Sequence, residues 1–432
     1  MTLLDAATLH GSLGDPVLGS IGFLNEVMGR YPDAISFAPG APHPVFFDGF
    51  DPDEYVRCYL DHLVRDRGLD PAAARRRLYE YGPSAGIITD LVAQALRDDY
   101  GVDAAPESIV ITVGAQEAML LVLRALFARP GDVLAVADPS FVGILGAARL
   151  LDVPVTGVRE SVDGIDVDQL AQACHAARHA NGRIRAVYVS PDHANPGGGR
   201  MSLRCRRRLL DLAEREDFLV VEDNAYGFTS PAGSELPPLK ALDRVGRVVS
   251  IGTFAKICFP GARVGYVLAD QWVGDAHTGR RQRLATQLAA IKGMVTVNTS
   301  PLCQAVVAGV LLRHGGSLVE LGRRRAALYQ RNLAHLLKAL DRHVGTYGSG
   351  AISWNRPSGG FFVRVRLPVP ADADLLEVSA GQYGVLWTPM APFYLDHSGD
   401  HQLRLSCSYL DPDQIETGVQ RLASFFRKEI PA

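Results

Sequence analysis

Short apolar runs alternate with amphipathic segments over the first two thirds of the chain. The run SIVITV at 108–113 ends at Gly114, and residues 116–126 then show a helical spacing of apolar positions without Gly or Pro. Four further apolar runs occur at 133–137, 185–189, 218–221 and 248–251, and a charged segment with helical spacing occurs at 203–216. Strands that alternate with helices in this way predict an α/β domain with a mostly parallel, buried sheet.

The pattern changes after about residue 315. A long amphipathic segment rich in Arg comes first, at 318–340. Alternating apolar and polar positions follow at 361–367 and 403–408, and a last helical pattern closes the chain at 412–428. This order favours a separate, smaller α+β domain.

The length of 432 residues suits two or three packed domains. We expect an N-terminal arm and part of the small domain at 1–50, a large domain at 51–315 and the small domain at 316–432. A composition of 47% hydrophobic and 21% charged residues is that of an ordinary globular protein.

Charge and cysteine usage narrow the class of partner. A net charge of -3 gives no general attraction to nucleic acid or to an anionic membrane. The six cysteines form no C-x-x-C pair, which argues against a metal site and favours a reducing cytoplasm. The N-terminus lacks the basic region and apolar core of a signal peptide, and no apolar stretch is long enough to span a bilayer. We therefore expect a cytoplasmic protein with small-molecule partners.

One lysine lies in an unusually apolar segment. Lys256 belongs to SIGTFAKICFPGARVGY at 250–266, where its neighbours are mostly apolar or aromatic. Burial would lower the pKa of its amine and make the amine nucleophilic, as Schiff-base chemistry requires. Thr253 and Arg263 are near enough in the chain to offer a hydroxyl and a guanidinium to one phosphate.

Two other segments have the residue types of a charged ligand site. ITVGAQEA at 111–118 reads as a strand, a glycine turn and a helix start, whose free N–H groups would bind an anion. An ordinary turn between a strand and a helix has the same pattern. VVEDNAY at 220–226 puts Asp223 at the end of a buried strand, where a carboxylate is costly unless it is paired.

Together these segments resemble the fold type I pyridoxal phosphate (PLP) enzymes, and among them the class I and II aminotransferases of the aspartate aminotransferase superfamily. The segment around Lys256 resembles the S-x-x-K and P-G-x-R-x-G signature of that family. The resemblance implies that Lys256 forms the Schiff base with PLP and that Thr253 and Arg263 bind the phosphate. It also implies a large domain with a mostly parallel, seven-stranded sheet and a smaller α+β domain.

The resemblance assigns roles around the cofactor ring. Asp223 would pair with the protonated pyridine nitrogen, while Asn195 of SPDHANPGG and Tyr226 would contact the phenolic oxygen. Phe141 of DPSF would stack on the ring without the hydroxyl of the more common tyrosine. Lys256, Asp223 and Tyr226 are thus the expected catalytic residues.

The same resemblance extends to the phosphate and to a second subunit. Gly114, Ala115 and Gln116 match the phosphate loop of the family. Tyr81 of YEYGPSAG would reach across a homodimer interface to the phosphate of the other subunit.

The substrate side rests on fewer residues. Arg404 of HQLRLSCS would bind the substrate α-carboxylate, with Asn195 beside it. Gly40 of APGAPHP would let the backbone approach the substrate closely. His193, in a turn where Gly197 replaces a common Thr or Ser, is a candidate for specificity. Further candidates for the pocket wall are Phe46, Trp387 and Tyr394.

The reaction that the resemblance implies is transamination between an L-amino acid and a 2-keto acid. Residues 18–42 and 253–264 resemble aminotransferase-like enzymes of actinobacterial specialised metabolism, such as dihydroxyphenylglycine transaminases and antibiotic-pathway cysteine-conjugate lyases. Because the PLP ring also supports other bond cleavages, a β-lyase or a decarboxylating or oxidative deaminase acting on an amino acid or S-cysteine conjugate stays open. A transcriptional regulator with this fold is disfavoured, since Arg30 is the only Lys or Arg among residues 1–50.

Overall fold

The computed structural model describes residues 3–275, 278–345 and 351–430. Its strands are β1 (Ile35–Ser36), β2 (Ile109–Thr112), β3 (Asp132–Asp138), β4 (Val155–Ser161), β5 (Gly164–Ile165), β6 (Arg183–Val189), β7 (Leu219–Asp223), β8 (Val248–Thr253), β9 (Gly265–Leu268), β10 (Trp272–Gly274), β11 (Arg281–Arg283), β12 (Ser353–Trp354), β13 (Phe362–Arg366), β14 (Val385–Leu386), β15 (Thr388–Pro389) and β16 (Gln402–Ser406). Its α-helices are α1 (Pro16–Arg30), α2 (Pro52–Arg65), α3 (Pro71–Arg76), α4 (Thr89–Tyr100), α5 (Gly114–Leu126), α6 (Val142–Leu150), α7 (Val167–His179), α8 (Leu203–Glu216), α9 (Leu239–Leu242), α10 (Leu284–Val295), α11 (Pro301–Arg313), α12 (Leu318–His343), α13 (Ala373–Tyr383) and α14 (Pro412–Glu429).

The large sheet has the strand order β2-β9-β8-β7-β6-β3-β4-β5. Strands β8, β7, β6, β3 and β4 are mutually parallel, whereas β9 is antiparallel to both of its neighbours. All residues of β2, β7 and β9 are buried, as expected for a sheet covered by helices on both faces. The predicted α/β fold with a mostly parallel sheet is confirmed.

The sheet has eight strands where the resemblance implies seven. The additional strand, β5, is only two residues long and pairs antiparallel with the end of β4. Its first residue, Gly164, has φ +121°, a backbone conformation that a residue with a side chain rarely adopts. Two residues carry too little alternation to predict such a strand from the sequence.

Most predicted elements lie where the pattern places them. The predicted helix at 203–216 coincides with α8, which begins where the Ser202 side chain accepts a hydrogen bond from the Cys205 N–H. α8 ends at Asp217, whose backbone is left-handed. The predicted strand at 218–221 is shifted, because β7 continues to Asp223 and carries this carboxylate to its carboxyl end.

A second sheet, of order β12-β13-β16-β15, is antiparallel throughout. The N-terminal arm joins this unit through β1, which pairs parallel with β14, and through Phe37, which is buried in the same core. Leu318 and Leu321, at the start of α12, belong instead to a core of the large sheet. The domain boundary at 315/316 therefore stays a prediction, and residues 1–2, 276–277, 346–350 and 431–432 of the predicted domains lie outside the described residues.

Within the described residues, no single helix is long and apolar enough to cross a membrane. α11 and α12 reach that length and apolar composition only when they are taken together, and the two helices are bent by 83° relative to each other.

Candidate active site

A cavity of about 1210 Å³ lies at the carboxyl ends of β6, β7 and β8. Ligands bind at this edge of open α/β sheets. The N-terminal arm, β15 and β16 supply further parts of its wall. Eleven of the predicted site residues line the cavity: Gly40, Ala115, Gln116, Phe141, Asn195, Asp223, Tyr226, Thr253, Lys256, Arg263 and Arg404.

Lys256 lies in the turn that follows β8. Its Nζ donates a hydrogen bond to the Gly40 carbonyl oxygen at 2.6 Å. Burial, together with the positive charges of Arg404 and Arg263, lowers the pKa of Lys256 to about 8, although the negative charge of Asp223 opposes the shift. A larger fraction of the amine is therefore neutral near pH 8 than in an exposed lysine, which suits a nucleophile or a base.

Asp223 is the last residue of β7 and is buried. Its Oδ2 accepts a hydrogen bond from the Tyr188 hydroxyl at 2.7 Å. Its Oδ1 is buried and has no hydrogen-bond partner within the described residues. Burial raises the pKa of Asp223 to about 6, although Tyr188 and Lys256 both act to lower it. A buried carboxylate oxygen without a partner is costly, and a protonated ring nitrogen would satisfy it.

The start of α5 gives one end of the cavity groups that could bind an anion. Gly114 has φ +72°, and a Cβ added to it would lie 2.6 Å from Arg263 Nη2. A Cβ added to Gly265 would lie 2.8 Å from the Gly114 carbonyl carbon. These two glycines let Arg263 and the free N–H groups of the first helical turn come together. Thr253 lines the same cavity at the end of β8.

The donor set fits pyridoxal phosphate on two separate grounds. The unpartnered Asp223 oxygen matches a protonated pyridine nitrogen, and the Gly114 turn with Arg263 matches a phosphate dianion. Lys256 lines the same cavity as both of these groups.

Arg404 is buried in β16 and packs against two aromatic rings. Its Nη1 donates to Asn195 Oδ1 at 2.5 Å, and its Nη2 donates to the Ala38 carbonyl oxygen at 2.9 Å. The guanidinium carbon is 4.3 Å from the Phe362 ring centroid and 5.2 Å from that of Phe393. Burial lowers the pKa of Arg404 to about 10, so the side chain stays charged at neutral pH.

The guanidinium of Arg404 has no carboxylate partner within the described residues. Its Nη2 also reaches Thr388 Oγ1 at 3.2 Å, and its Nε is buried without a hydrogen-bond partner there. A buried cation held only by neutral acceptors is suited to an anionic ligand.

Three contributors to the site were missed by sequence reasoning. Tyr188 binds Asp223, while Thr388 and Phe393 contact Arg404. A signal existed for Tyr188, since it is a polar residue near the carboxyl end of the apolar run at 185–189. Thr388 and Phe393 belong to no motif, because their contacts arise only when β15 and the following turn meet β16.

His193 lies outside the cavity, which corrects the expectation that it contacts substrate. Its side chain is fully buried, and its Nε2 lies 3.1 Å from Ser230 Oγ. The ring fills space that exists only because residues 359 and 360 are glycines: an added Cβ at either would come within 2.6 Å of His193. Burial lowers the pKa of His193 to about 4, so the ring is neutral.

The other candidates for the pocket wall also lie elsewhere. Trp387 is buried in the core of the small sheet, and the Tyr394 hydroxyl donates to Gln402 Oε1 at 3.0 Å. Phe46 packs against Arg325, whose guanidinium carbon lies 4.9 Å from the Phe46 ring centroid. None of the three lines the cavity as described. Tyr81 is 90% exposed at the surface, so its predicted contact with a second subunit stays a prediction.

Sequence comparison places this site among known proteins. Residues 59–422 match the sequence profile of the family "Aminotransferase class I and II". The chain is 50% identical over 424 residues to (S)-3,5-dihydroxyphenylglycine transaminase of Amycolatopsis orientalis. The match covers 98% of this chain and 94% of that protein.

Comparison with solved structures gives the same fold. An archaeal alanine:glyoxylate aminotransferase matches with a TM-score of 0.83 at 27% identity, over 99% of this chain and all of the other (100%). A kynurenine aminotransferase of Pyrococcus horikoshii, solved in complex with PMP, has a TM-score of 0.78 at 29% identity. That match covers 94% of this chain and 95% of the other.

Proposed function

Since the chain belongs to the class I and II aminotransferases and is a pyridoxal phosphate enzyme, we propose that it transaminates L-amino acids with aromatic side chains in specialised metabolism. The substrate class is taken from the dihydroxyphenylglycine transaminase that it resembles at 50% identity. The observation that carries it here is the apolar wall of the cavity. That wall includes Pro16, Phe23, Met28, Val142, Pro389, Ala391, Pro392 and Phe393.

The charged groups of the cavity are consistent with such a substrate. Among the described lining residues, the only Lys or Arg side chains are Lys256, Arg263 and Arg404. We assign Lys256 to the cofactor aldehyde, Arg263 to the cofactor phosphate and Arg404 to the substrate α-carboxylate. Under this assignment no lining Lys or Arg is left for the amino-acid side chain among the described residues, which favours an uncharged side chain such as an aromatic ring against the apolar part of the wall.

The cofactor, when bound, supplies an electron sink for negative charge at the substrate α-carbon. In our proposal the unpartnered oxygen of Asp223 keeps the ring nitrogen protonated, and the Gly114 turn with Arg263 holds the phosphate. Asn195 and Tyr226, which line the same cavity, would hold the phenolic oxygen of the ring.

Lys256 acts as the base in this proposal. Its Nζ takes the proton from the substrate α-carbon, and the pKa of about 8 leaves part of the amine neutral for this task. Arg404 binds the α-carboxylate and so fixes which bond of the α-carbon points at Lys256. Phe362 and Phe393, which pack against the guanidinium, exclude water from this contact.

We propose a homodimer as the working form. Large apolar side chains are exposed in two stretches of the chain, 79–81 and 294–302, and the residues are Tyr79, Tyr81, Met294, Val295, Val297 and Leu302. The two stretches lie close in space, since a Cβ added to Gly82 would lie 3.7 Å from Asn298 Nδ2. Exposed apolar side chains of this kind support a protein interface. Light scattering should give twice the chain mass, and a monomer at micromolar concentration would contradict the proposal.

We also propose that the enzyme works in a reducing compartment such as the cytoplasm. All six cysteines are free thiols. Four of them, Cys174, Cys205, Cys258 and Cys407, are buried. Scattered thiols without disulfides are typical of reducing compartments.

The decisive experiment is a substrate panel with the purified holoenzyme. Arylglycines, phenylalanine, tyrosine, glutamate and S-cysteinyl conjugates are each incubated with and without a 2-keto acid, and products are identified by mass spectrometry. We expect aryl 2-keto acids that form only when the acceptor is present. Ammonia and pyruvate released from cysteine conjugates without an acceptor would overturn transamination in favour of β-elimination. Lys256→Ala is the inactive control.

A further inference from the structure

A buried ion pair lies directly behind the start of α5, and the steps above do not use it. Glu117, in the first turn of α5, is 8% exposed, and Lys292, near the end of α10, is 0% exposed. Lys292 Nζ lies 2.7 Å from Glu117 Oε2. Removing two charges from water is expensive, and the attraction between them often fails to offset the cost. The position of such a pair therefore calls for a specific explanation.

Thr296 completes a closed set of hydrogen bonds with this pair. Its hydroxyl donates to Glu117 Oε1 at 2.6 Å and lies 2.7 Å from Lys292 Nζ, which donates to it. Glu117 Oε2 also accepts the Val113 N–H at 2.6 Å. The carboxylate therefore holds the backbone at the residue before Gly114, where the anion-binding turn begins.

The charge of Glu117 creates a conflict at this turn. A carboxylate in the first turn of a helix is stabilised by the helix dipole. The same helix start is where Gly114 and Arg263 meet to form the anion-binding end of the cavity. An unpaired carboxylate there would repel a phosphate group across a low-dielectric interior. Lys292 pairs with Glu117 from the other side and cancels its charge.

We propose that Glu117 and Lys292 are positioning residues for the cofactor phosphate. Glu117 fixes the backbone at Val113 so that α5 begins at the phosphate, and Lys292 keeps Glu117 from repelling it. The proposal rests on pyridoxal phosphate as the cofactor and not on the aromatic substrate class, so the two can fail separately.

The test is a double-mutant comparison in the apoenzyme. Lys292→Met leaves a buried, unpaired carboxylate near the phosphate, whereas the double variant K292M/E117Q removes both charges and keeps an acceptor for the Val113 N–H. Cofactor affinity is measured by absorbance titration with pyridoxal phosphate and, separately, with pyridoxal, which lacks the phosphate. Thermal unfolding of each apoenzyme is followed by circular dichroism.

We expect K292M to raise the Kd for pyridoxal phosphate roughly tenfold or more. The reason is that repulsion between the unpaired Glu117 carboxylate and the phosphate in the protein interior should change the Kd by about a factor of ten. Pyridoxal binding should change less than about threefold, and the double variant should recover most of the lost affinity. Lys240→Met is the matched control, because Lys240 is a buried lysine paired with Asp270 at 2.7 Å that does not line the cavity. That variant should unfold at lower temperature with an unchanged cofactor Kd.

Two results would overturn the proposal. One is a K292M enzyme that unfolds earlier but binds pyridoxal phosphate as the parent does, which would make the pair a purely structural link between α5 and α10. The other is an equal loss of affinity for pyridoxal and for pyridoxal phosphate. If K292M does not fold, Lys292→Gln keeps a donor for Thr296 and is read by the same criteria.

Discussion

The two halves of the cavity differ in how their buried charged groups are partnered. In the half formed by the large sheet, one oxygen of Asp223 is left without a partner and the pKa of Lys256 is lowered to about 8. In the half formed by the N-terminal arm and the small sheet, both terminal nitrogens of Arg404 already have acceptors. We interpret the first half as incomplete without a resident group. In the second half the terminal nitrogens are hydrogen-bonded without a ligand and only Nε lacks a partner among the described residues, which suits a ligand that comes and goes.

The halves also differ in how the chain builds them. Asp223 and Thr253 stand at the ends of adjacent parallel strands, with Lys256 in the turn that follows, so the sheet itself sets their spacing. Arg404 is held by residues 38, 195 and 388, which come from three separate parts of the chain. Substitutions in the first half should therefore change the chemistry, and those in the second should change substrate binding.

The largest effect should follow from Lys256→Ala. Loss of the base should lower the transamination rate by roughly 10⁴-fold, and borohydride should no longer attach the cofactor to the peptide that carries residue 256. Rates are measured in single turnovers. Lys338→Ala, at an exposed position on α12, is the control. If K256A kept more than a tenth of the parent rate, the interpretation that the large-sheet half of the cavity performs the chemistry would be wrong.

Asp223→Asn should lower the rate by about 10²-fold to 10³-fold, because the ring nitrogen loses its charged partner. The empty protein should gain stability, since a buried anion is removed. The folded-state pKa of Asp223, about 6, exceeds the ordinary 3.8, so the parent apoenzyme should lose stability relative to D223N as pH rises from about 4 to 6. Melting curves across this pH range check the sign; parallel curves would contradict it.

Arg404→Lys should act mainly on substrate binding. The ammonium keeps the charge but lacks the planar fork, so KM for amino acids should rise about 10²-fold. The Kd for pyridoxal phosphate should stay within about threefold of the parent value. Steady-state kinetics and cofactor titration separate the two effects. A fall in cofactor affinity equal to the rise in KM would show that the halves are not independent.

Tyr188→Phe should have the smallest effect, a loss of about tenfold or less in cofactor affinity. The Tyr188 hydroxyl lowers the pKa of Asp223, so its removal should raise that pKa further. The acid limb of cofactor binding should then move to higher pH. Titrations between pH 5 and pH 8 test this, and an unmoved limb would mean that Tyr188 only fills space.

The same comparison explains what the sequence could predict. Lys256, Asp223 and Gly114 each lie within a short motif at the end of a predicted strand, and such motifs carry their geometry with them. Thr388 and Phe393 could not be found, because their role depends on segments that meet only in the folded chain. The β5 strand was too short to detect.

His193 shows the opposite error. It stands two residues from Asn195 in the chain, and proximity in sequence suggested proximity to the ligand. Its backbone adopts φ +51°, and the ring packs against Gly359, Gly360 and Ser230 instead. Direction of a side chain at a turn depends on backbone angles that a motif does not record.

The backbone of residues 38–41 has a consequence for engineering this enzyme. Its carbonyl oxygens accept hydrogen bonds from Arg404, Lys256 and Ser408, and no side chain of the segment takes part in these three contacts. Libraries that vary these positions should therefore leave the contacts intact, provided that the space at Gly40 and at the buried Ala38 is respected. Inserting or deleting a single residue would shift every carbonyl by one place and misdirect both cations at once. We therefore expect the segment to tolerate suitable substitutions but not insertions or deletions.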